Sequence, residues 1–213
     1  MRVAILGAAG KTGYQLITEA LERGHDIIGI ARTPENIALE SPRIAKRRGD
    51  AFDRQSIVDS LAGADAVITS IGKTDLRDKR FNLSTAGHAN VLAGMRAHGI
   101  RRLIPISSIG ASKLPRKGIR RNVYLFLRRK YYGDMNDMEG QVLSSGLDVT
   151  VVRAPYLHNG PARNAYEVVV GDVLPSGRAV SRKDLANFIF DTLDNGSYGQ
   201  SIVSIADPLV GRS

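Results

Sequence analysis

Three glycines near the start of the chain have the spacing of a phosphate-binding turn. Gly7, Gly10 and Gly13 follow an apolar run at residues 3–6 and precede a segment of helical character at residues 14–21. In the order strand, glycine turn, helix, the first glycine permits the tight turn and the second lets a pyrophosphate approach the backbone. The third lets the helix pack closely on the strand, and the helix N-terminus offers free N–H groups to phosphates. The spacing therefore predicts a dinucleotide site.

Two other interpretations of this turn compete with that one. A strand-to-helix turn can need glycine without binding any ligand, although three glycines at this spacing favour a site. Gly10, Lys11 and Thr12 also look like the end of a P-loop. That motif requires a further glycine five positions before Gly10, where the chain has Ile5 in the middle of the predicted strand. The dinucleotide interpretation is therefore favoured.

An arginine stands at the position that selects between NAD and NADP. The predicted strand at residues 26–31 ends immediately before Arg32, and no acid follows until Glu35. In sites that prefer NAD, an Asp or Glu about 20 residues after the glycines hydrogen-bonds the ribose hydroxyls. A guanidinium here can pair with a 2′-phosphate instead, and Lys11 can support the same phosphate. These residues predict a preference for NADP(H); the alternative is a solvated arginine at a strand end.

The chain alternates between predicted strands and helices, and this alternation defines the expected fold. Strands are predicted at residues 2–6, 26–31, 43–48, 65–70, 101–106, 147–153, 166–170 and 200–205. Helices are predicted at residues 12–23, 55–61, 81–98, 119–131, 137–145 and 181–193, the last with Ser181 as its N-cap. The pattern predicts an α/β fold: a doubly wound, Rossmann-type parallel sheet with helices on both faces. We expect one domain over residues 1–213, with a small C-terminal substrate-side lobe at about residues 154–180.

Composition limits the class of protein. The chain has 213 residues, of which 43% are hydrophobic and 24% charged, and it contains no cysteine. No apolar run approaches the roughly 20 residues of a membrane span. Met1 leads directly into the first predicted strand, which indicates that no signal peptide precedes the fold. We therefore expect a cytoplasmic protein without disulfides, thiolate metal sites or membrane contact.

The positive charge is concentrated in one stretch. Residues 101–130, the basic segment, contain ten Lys and Arg and no Asp or Glu, whereas the whole chain carries a net charge of +9. Such a segment can attract nucleic acid, an anionic surface or a small anionic ligand. It lacks the regular aromatic interleaving of a nucleic-acid stacking platform. We expect a solvated face or an anionic small-molecule substrate, and not nucleic acid.

Motifs along nearly the whole chain resemble one family. They are VAILGAAGKTG, IGIAR, RGDAFD, ADAVITSIG, RRLIPISSIGA, LSSGLDVTVVRAPYL and SRKDLANFIFDTL. These motifs resemble the atypical short-chain dehydrogenase/reductases, in the branch of NmrA-like and biliverdin reductase B (flavin reductase)-like NAD(P)H-binding proteins. The glycine loop is specific to the superfamily. The SGLDVTVVRAPYL segment and the KDLA helix start indicate the branch.

The resemblance implies cofactor contacts at the ends of several strands. The residues implied for the pyrophosphate are Gly7, Ala8, Gly10, Lys11, Thr12 and Gly13. Those implied for the adenosine half are Arg32 at the 2′-phosphate, Asp50 at the adenine amino group, and Ser70, Ile71 and Gly72 along the adenosine and ribose. Those implied around the nicotinamide are Ser107, Ser108, Pro155, Tyr156 and Leu157.

The chain departs from the family at the catalytic pair. Classical members carry Tyr-x-x-x-Lys, in which the lysine lowers the pKa of the tyrosine that exchanges a proton with the substrate. Neither Tyr131 nor Tyr132 has a lysine four residues later. The candidates for a polar catalytic group are then Ser108, Tyr132 and His158. Each has a structural alternative: a turn cap, a core aromatic and a structural histidine, respectively. The four histidines suggest no metal cluster.

The expected function is NADPH-dependent hydride transfer to a small conjugated acceptor. Flavins, quinones, tetrapyrrole-like compounds and enone or carbonyl compounds are all compatible with the resemblance. The missing Tyr–Lys pair leaves a second hypothesis, a redox sensor of the NmrA type that binds NADP without turnover. Either protein is expected to be a monomer or a small homo-oligomer.

Overall fold

The apolar runs form the centre of a mostly parallel sheet. The computed structural model describes residues 1–72, 82–112, 128–172 and 175–210. The strands in these ranges are β1 (Arg2–Leu6), β2 (Asp26–Ala31), β3 (Ile44–Arg48), β4 (Ala66–Thr69), β5 (Arg102–Ser108), β6 (Asp148–Ala154), β7 (Tyr156–His158), β8 (Glu167–Val170), β9 (Ala179–Ser181) and β10 (Ser201–Ala206). Eight of these strands form one sheet in the order β3-β2-β1-β4-β5-β6-β10-β8, and β7 pairs with β9.

The order of the first six strands places the glycine turn at the crevice of the sheet. The order 3-2-1-4-5-6 is that of a doubly wound Rossmann sheet, and its direction of winding reverses beside β1. Neighbouring strands from β3 through β6 to β10 run parallel, whereas β8 is antiparallel to β10 at the edge. The turn that follows β1 therefore lies where ligands of such sheets bind.

Helices cover both faces of the sheet. In the described part of the chain they are α1 (Lys11–Glu22), α2 (Arg54–Ser60), α3 (Leu83–Ala97), α4 (Arg129–Leu143) and α5 (Arg182–Asp194). On one face α1 packs against α5, and on the other α3 packs between α2 and α4. Successive side chains of β1 pack into the cores on the two sides of the sheet, because side chains of a strand alternate between its faces. Val3 and Ile5 join the core under α1 and α5, and Ala4 and Leu6 join the core under α2, α3 and α4.

The predicted Rossmann-type fold is confirmed, with differences in the C-terminal part. The predicted strands lie within two residues of the observed ones, but the short strands β7 and β9 were not predicted. The residues predicted as a C-terminal lobe, 154–180, are divided between two places: β7 pairs with β9, and β8 extends the main sheet. The helix predicted from residue 137 begins earlier, at Arg129.

Only part of the basic segment belongs to the described structure. Residues 113–127, which include most of the helix predicted at 119–131, lie outside the described ranges. Arg102 belongs to the packed structure instead of a solvated face, since its Nη1 lies 3.1 Å from Asp148 Oδ1. Burial lowers the pKa of Arg102, and the charge of Asp148 partly offsets that effect. Among the described residues, no helix has the length and apolar character needed to cross a membrane.

Candidate functional site

The turn after β1 is folded so tightly that a side chain at its first glycine would not fit. Gly7 has a φ of +92°, in the left-handed region that favours glycine. A Cβ at Gly7 would lie 2.4 Å from the carbonyl oxygen of Ser70 at the end of β4. The backbone N–H groups of Gly7 and Ala8 both donate to the carbonyl oxygen of Ile30, at 3.0 and 3.2 Å. The turn is thereby fixed between the ends of β2 and β4.

The start of α1 leaves its backbone donors available. Its N-cap is Gly10, and no side chain accepts a hydrogen bond from the first turn. By contrast, α2 is capped by Asp53 and α5 by Ser181. A Cβ at Gly13 would lie 2.3 Å from the carbonyl oxygen of Gly7, so this glycine allows α1 to rest on the turn. The uncapped N–H groups and the helix dipole suit an anion.

A cavity of about 970 Å³ opens over this turn at the carboxyl edge of the sheet. We call it the central cavity. The residues that line it are Leu6, Gly7, Ala9, Gly10, Lys11, Thr12, Ile30, Ala31, Arg32, Gly49, Asp50, Ala51, Phe52, Ser70, Ile71, Gly72, Leu83 and Arg182. The volume falls within the range of small-molecule and cofactor sites, roughly 300–1,000 Å³. The glycine turn, the open helix start and the volume together fit a dinucleotide.

The charged side chains of the central cavity come from four different parts of the chain. Lys11 and Arg32 are exposed at its rim, after β1 and β2. Asp50 is held by its own loop, because its Oδ1 accepts from the N–H of Phe52 at 3.0 Å. The fourth is Arg182, in the first turn of α5, which the sequence interpretation did not include. The available signal in the sequence was its position directly after Ser181, the predicted N-cap of this helix.

The other predicted cofactor residues lie behind or beside the central cavity. Ala8 and Gly13 are buried beneath the glycine turn and do not line the cavity. Residues 107–108 at the end of β5 and residues 155–157 after β6 also lie outside its lining. Tyr156 is 75% exposed. The lining thus includes four of the six residues predicted for the pyrophosphate and all of those predicted for the adenosine half, but none of those predicted for the nicotinamide.

Two of the three catalytic candidates meet at one glycine. Ser108 Oγ accepts from the N–H of Gly110 at 3.1 Å and caps the short 3₁₀ turn Ile109–Ala111. The ring of Tyr132 packs on Gly110, where a Cβ would lie 2.1 Å from Tyr132 Cε1. His158 is separate from this pair: it lies in β7, and its Nδ1 accepts from the N–H of Gly160 at 3.0 Å. The Ser108 hydroxyl proton is not used by its capping bond.

A buried ionic network stands behind the end of β5, and the sequence interpretation missed it. Ser107 Oγ donates to Glu139 Oε1 at 2.6 Å. Arg153 donates to both oxygens of Glu139, from Nε at 2.9 Å and from Nη2 at 2.6 Å. Its Nη1 also pairs with Asp172, after β8. An arginine at the end of the apolar run LDVTVVR was the available signal, because a buried charge requires a partner.

Arg153 keeps its charge despite its burial. The side chains of Arg153 and Glu139 are each only 2% exposed. Burial alone lowers the pKa of Arg153, but its hydrogen bond to Glu139 and the charges of Glu139 and Asp172 outweigh burial and raise the pKa above its ordinary value. Since Ser107 directs its proton at Glu139, its oxygen faces other groups only as an acceptor. Ser107 is therefore a poor proton donor for a substrate.

A buried histidine supports the end of β4 beside the central cavity. His88 Nδ1 lies 2.8 Å from the carbonyl oxygen of Ser84, and its Nε2 lies 2.7 Å from Thr69 Oγ1. A carbonyl oxygen can only accept, so Nδ1 carries the hydrogen and Nε2 accepts from the threonine hydroxyl. Burial is the main cause that lowers the pKa of His88 to about 4; the backbone hydrogen bond and the charge of Asp134 oppose it.

We expect His88 to make folding stability depend on pH between about 6.5 and 4. The unfolded chain binds the proton at the ordinary pKa, and the folded chain only near 4. The contribution of His88 therefore lowers the free energy of unfolding as the pH falls below 6.5. At pH 4 the free energy is expected to be about 3 kcal/mol lower than above pH 6.5. Urea unfolding of the wild type and of His88→Gln across this range measures the difference. The matched control is His98→Gln, which removes an exposed histidine at the end of α3. Equal pH slopes for wild type and His88→Gln would contradict the expectation.

The candidate site contains no group of metal ligands in the part of the chain that the structure describes. No cluster of three or more His, Asp or Glu side chains there is arranged to hold a metal ion.

Comparison with known proteins gives the family. The model of the NAD(P)H-binding family matches residues 7–196. A curated relative, the 2-alkyl-3-oxoalkanoate reductase of Stenotrophomonas maltophilia (strain K279a), is 30% identical over 133 residues, which are 54% of this chain and 39% of that protein. The chain thus spans well under half the length of this relative.

Solved structures share the fold over the whole chain. ChuY, an anaerobillin reductase from Escherichia coli O157:H7, has a TM-score of 0.83 at 20% identity and matches 100% of both chains. A short-chain dehydrogenase/reductase from Veillonella parvula, solved with NADP, has a TM-score of 0.82 at 20% identity and matches 98% of this chain and 95% of its own. The family match extends from the glycine turn through α5. The chain therefore belongs to the NAD(P)H-binding family.

Proposed function

We propose that the protein is an NADPH-dependent oxidoreductase that reduces a small conjugated acceptor. The observation that supports this most is the central cavity, where the glycine turn, the uncapped start of α1 and Arg32 surround one space of dinucleotide size. Bound NADPH would supply the hydride. The chain would bind and orient the cofactor, and exclude water from the reacting atoms. Relatives named as reductases support turnover.

The proposed binding residues form groups, and each group is assigned to a different part of the cofactor. Gly7, Gly10, Lys11 and Thr12 line the end where the N–H groups of α1 would meet the pyrophosphate, with Ala8 and Gly13 shaping the turn beneath. Arg32, Asp50 and residues 70–72 line the end proposed for the adenosine half. Residues 107–108 and 155–157 are proposed to border the nicotinamide.

We propose Ser108 as the group that supplies a proton to the acceptor. Its Oγ accepts one hydrogen bond from Gly110 and keeps its own proton available. Ser107 is the weaker candidate because its proton is directed at Glu139. Tyr132, which packs on the same Gly110, is the second candidate, and His158 in β7 is the third.

Cofactor titration followed by an acceptor panel tests the proposal. NADPH and NADH are titrated by isothermal titration calorimetry, and flavin, quinone, tetrapyrrole, enone and 3-oxoacid compounds are then added while absorbance is followed at 340 nm. Tight NADPH binding with oxidation on one acceptor class supports a reductase. Tight binding without oxidation on any of them would favour the NADP sensor, for which the absent Tyr–Lys pair is the supporting observation. Failure to bind either nucleotide would overturn both.

Replacing Arg32 with glutamine is expected to remove the preference for NADPH. Loss of a charge-assisted pair with the 2′-phosphate raises the Kd for NADPH on the order of 10- to 100-fold and leaves the Kd for NADH unchanged. Calorimetric titration of both nucleotides measures the ratio. Arg48→Gln, an exposed arginine at the end of β3 that does not line the cavity, is the matched control. Equal losses for NADPH and NADH in Arg32→Gln would contradict contact with the 2′-phosphate.

A further inference from the structure

We infer that Arg182 is a second phosphate-binding cation of the central cavity, which holds the pyrophosphate common to NADPH and NADH. This inference rests on the proposed dinucleotide binding and adds a cofactor-binding residue from the C-terminal part of the chain. Four observations carry it: the course of α5 beside α1, the position of Arg182 in the cavity lining, the neutral partner of its guanidinium, and the charges around it.

The two helices run side by side in the same direction. At their C-terminal ends, Arg23 Nη1 lies 2.8 Å from Asp191 Oδ1 and 3.2 Å from Asp194 Oδ2. At their N-terminal ends, Lys11 and Arg182 line the same cavity. The first turn of α5 is therefore the neighbour of the uncapped first turn of α1. This places Arg182 at the pyrophosphate end of the cavity, whereas Arg32 follows β2.

The guanidinium of Arg182 is held in place without being neutralised. Its Nη1 donates to the neutral side-chain oxygen of Asn159 at 2.7 Å. Its Nε is buried and has no hydrogen-bond partner within the described ranges, and no carboxylate there forms an ion pair with it. Arg23, Arg102 and Arg153 all pair with carboxylates. Arg182 is half-buried, and no described carboxylate neutralises it, so its charge is available to an anionic ligand.

The surrounding charges favour a phosphate group. Among the described residues, the charged side chains that line the central cavity are Lys11, Arg32, Asp50 and Arg182, so that described cations outnumber described acids there. An arginine presents a planar fork of donors that matches two oxygens of a phosphate. With Lys11 and the N–H groups of α1 nearby, Arg182 would hold the pyrophosphate from the side of α5. Other residues would then contact the adenine and nicotinamide ends of the cofactor.

The test compares nucleotide affinities of Arg182→Gln with those of the wild type. Because NADPH and NADH share the pyrophosphate, the Kd measured by calorimetry is expected to rise about tenfold or more for both, with their ratio unchanged. Lys183→Gln is the matched control: it removes the same charge from the same helical turn, but its exposed side chain does not line the cavity. Its affinities are expected to equal those of the wild type. Equal urea midpoints for the two variants show that both are folded.

A second variant tests whether the neutral side chain of Asn159 leaves the charge of Arg182 available to the phosphate. Asn159→Asp places a carboxylate beside the guanidinium and is expected to weaken both nucleotides, since it neutralises the charge offered to the phosphate. Unchanged affinities in Arg182→Gln, or a loss confined to NADPH, would overturn the assignment to the pyrophosphate. So would unchanged nucleotide affinity with a raised KM for an anionic acceptor, which would assign Arg182 to the substrate. If the wild type binds neither nucleotide, the proposed function itself fails.

Discussion

Replacing Glu139 with glutamine is expected to lower the free energy of unfolding by about 3 kcal/mol or more. The carboxylate is 2% exposed, lies 2.6 Å from Arg153 Nη2 and accepts the proton of Ser107 at 2.6 Å. Its loss leaves a buried guanidinium with Asp172 as its one remaining ionic partner among the described residues, and breaking one side of a buried pair typically costs about 3–5 kcal/mol. The chain has no tryptophan, so urea unfolding is followed by far-UV circular dichroism.

The double replacement Glu139→Leu with Arg153→Met removes both charges of the pair. It separates the cost of leaving one buried charge unpaired from the net contribution of the intact ion pair to stability. Removing both charges leaves no uncompensated ion, because Asp172 is 43% exposed and can be hydrated. The double variant is therefore expected to be more stable than either single variant. A loss below about 1 kcal/mol in Glu139→Gln would contradict the buried network, because it would mean that water reaches Arg153 in solution.

Replacing Gly13 with alanine is expected to destabilise the protein by about 3 kcal/mol and to abolish dinucleotide binding. The added Cβ would lie 2.3 Å from the carbonyl oxygen of Gly7 and 2.7 Å from Cα of Ala8. These are backbone atoms of a turn tied to Ile30, so the neighbours cannot move away as a flexible side chain would. The helix must then shift away from the turn. Urea unfolding and NADPH calorimetry measure the two effects.

Gly140→Ala is the matched control for this substitution. Gly140 lies within α4, and a Cβ there would meet nothing within 4 Å. Alanine favours helix over glycine, so this change is expected to stabilise the protein by up to about 1 kcal/mol and to leave NADPH binding intact. Equal stabilities of Gly13→Ala and wild type would show that the first turn of α1 can move without cost, contrary to the contacts of the glycine turn.

Local patterns in the sequence were sufficient for the first six strands and the glycine turn. Short apolar runs, glycines after the helices and the spacing of Gly7, Gly10 and Gly13 depend on neighbouring residues alone. The same patterns predicted the cap Ser181, whose Oγ accepts from the N–H of Asp184 at 2.9 Å. The boundaries of α4 were predicted less well, because its polar first turn lacks a side-chain cap that would mark the start.

The sequence by itself determined the class of fold, the family and the position of the glycine turn, because these follow from residue order over short distances. Tertiary structure alone decided that Arg182 lines the same cavity as Lys11, that Glu139 joins Ser107 to Arg153, and that β8 closes the sheet edge in the antiparallel direction. These contacts join residues far apart along the chain. Hydrophobic periodicity shows which face of an element is buried but not which distant side chain it meets, and so the partners of a buried charge emerge only when the layers pack together.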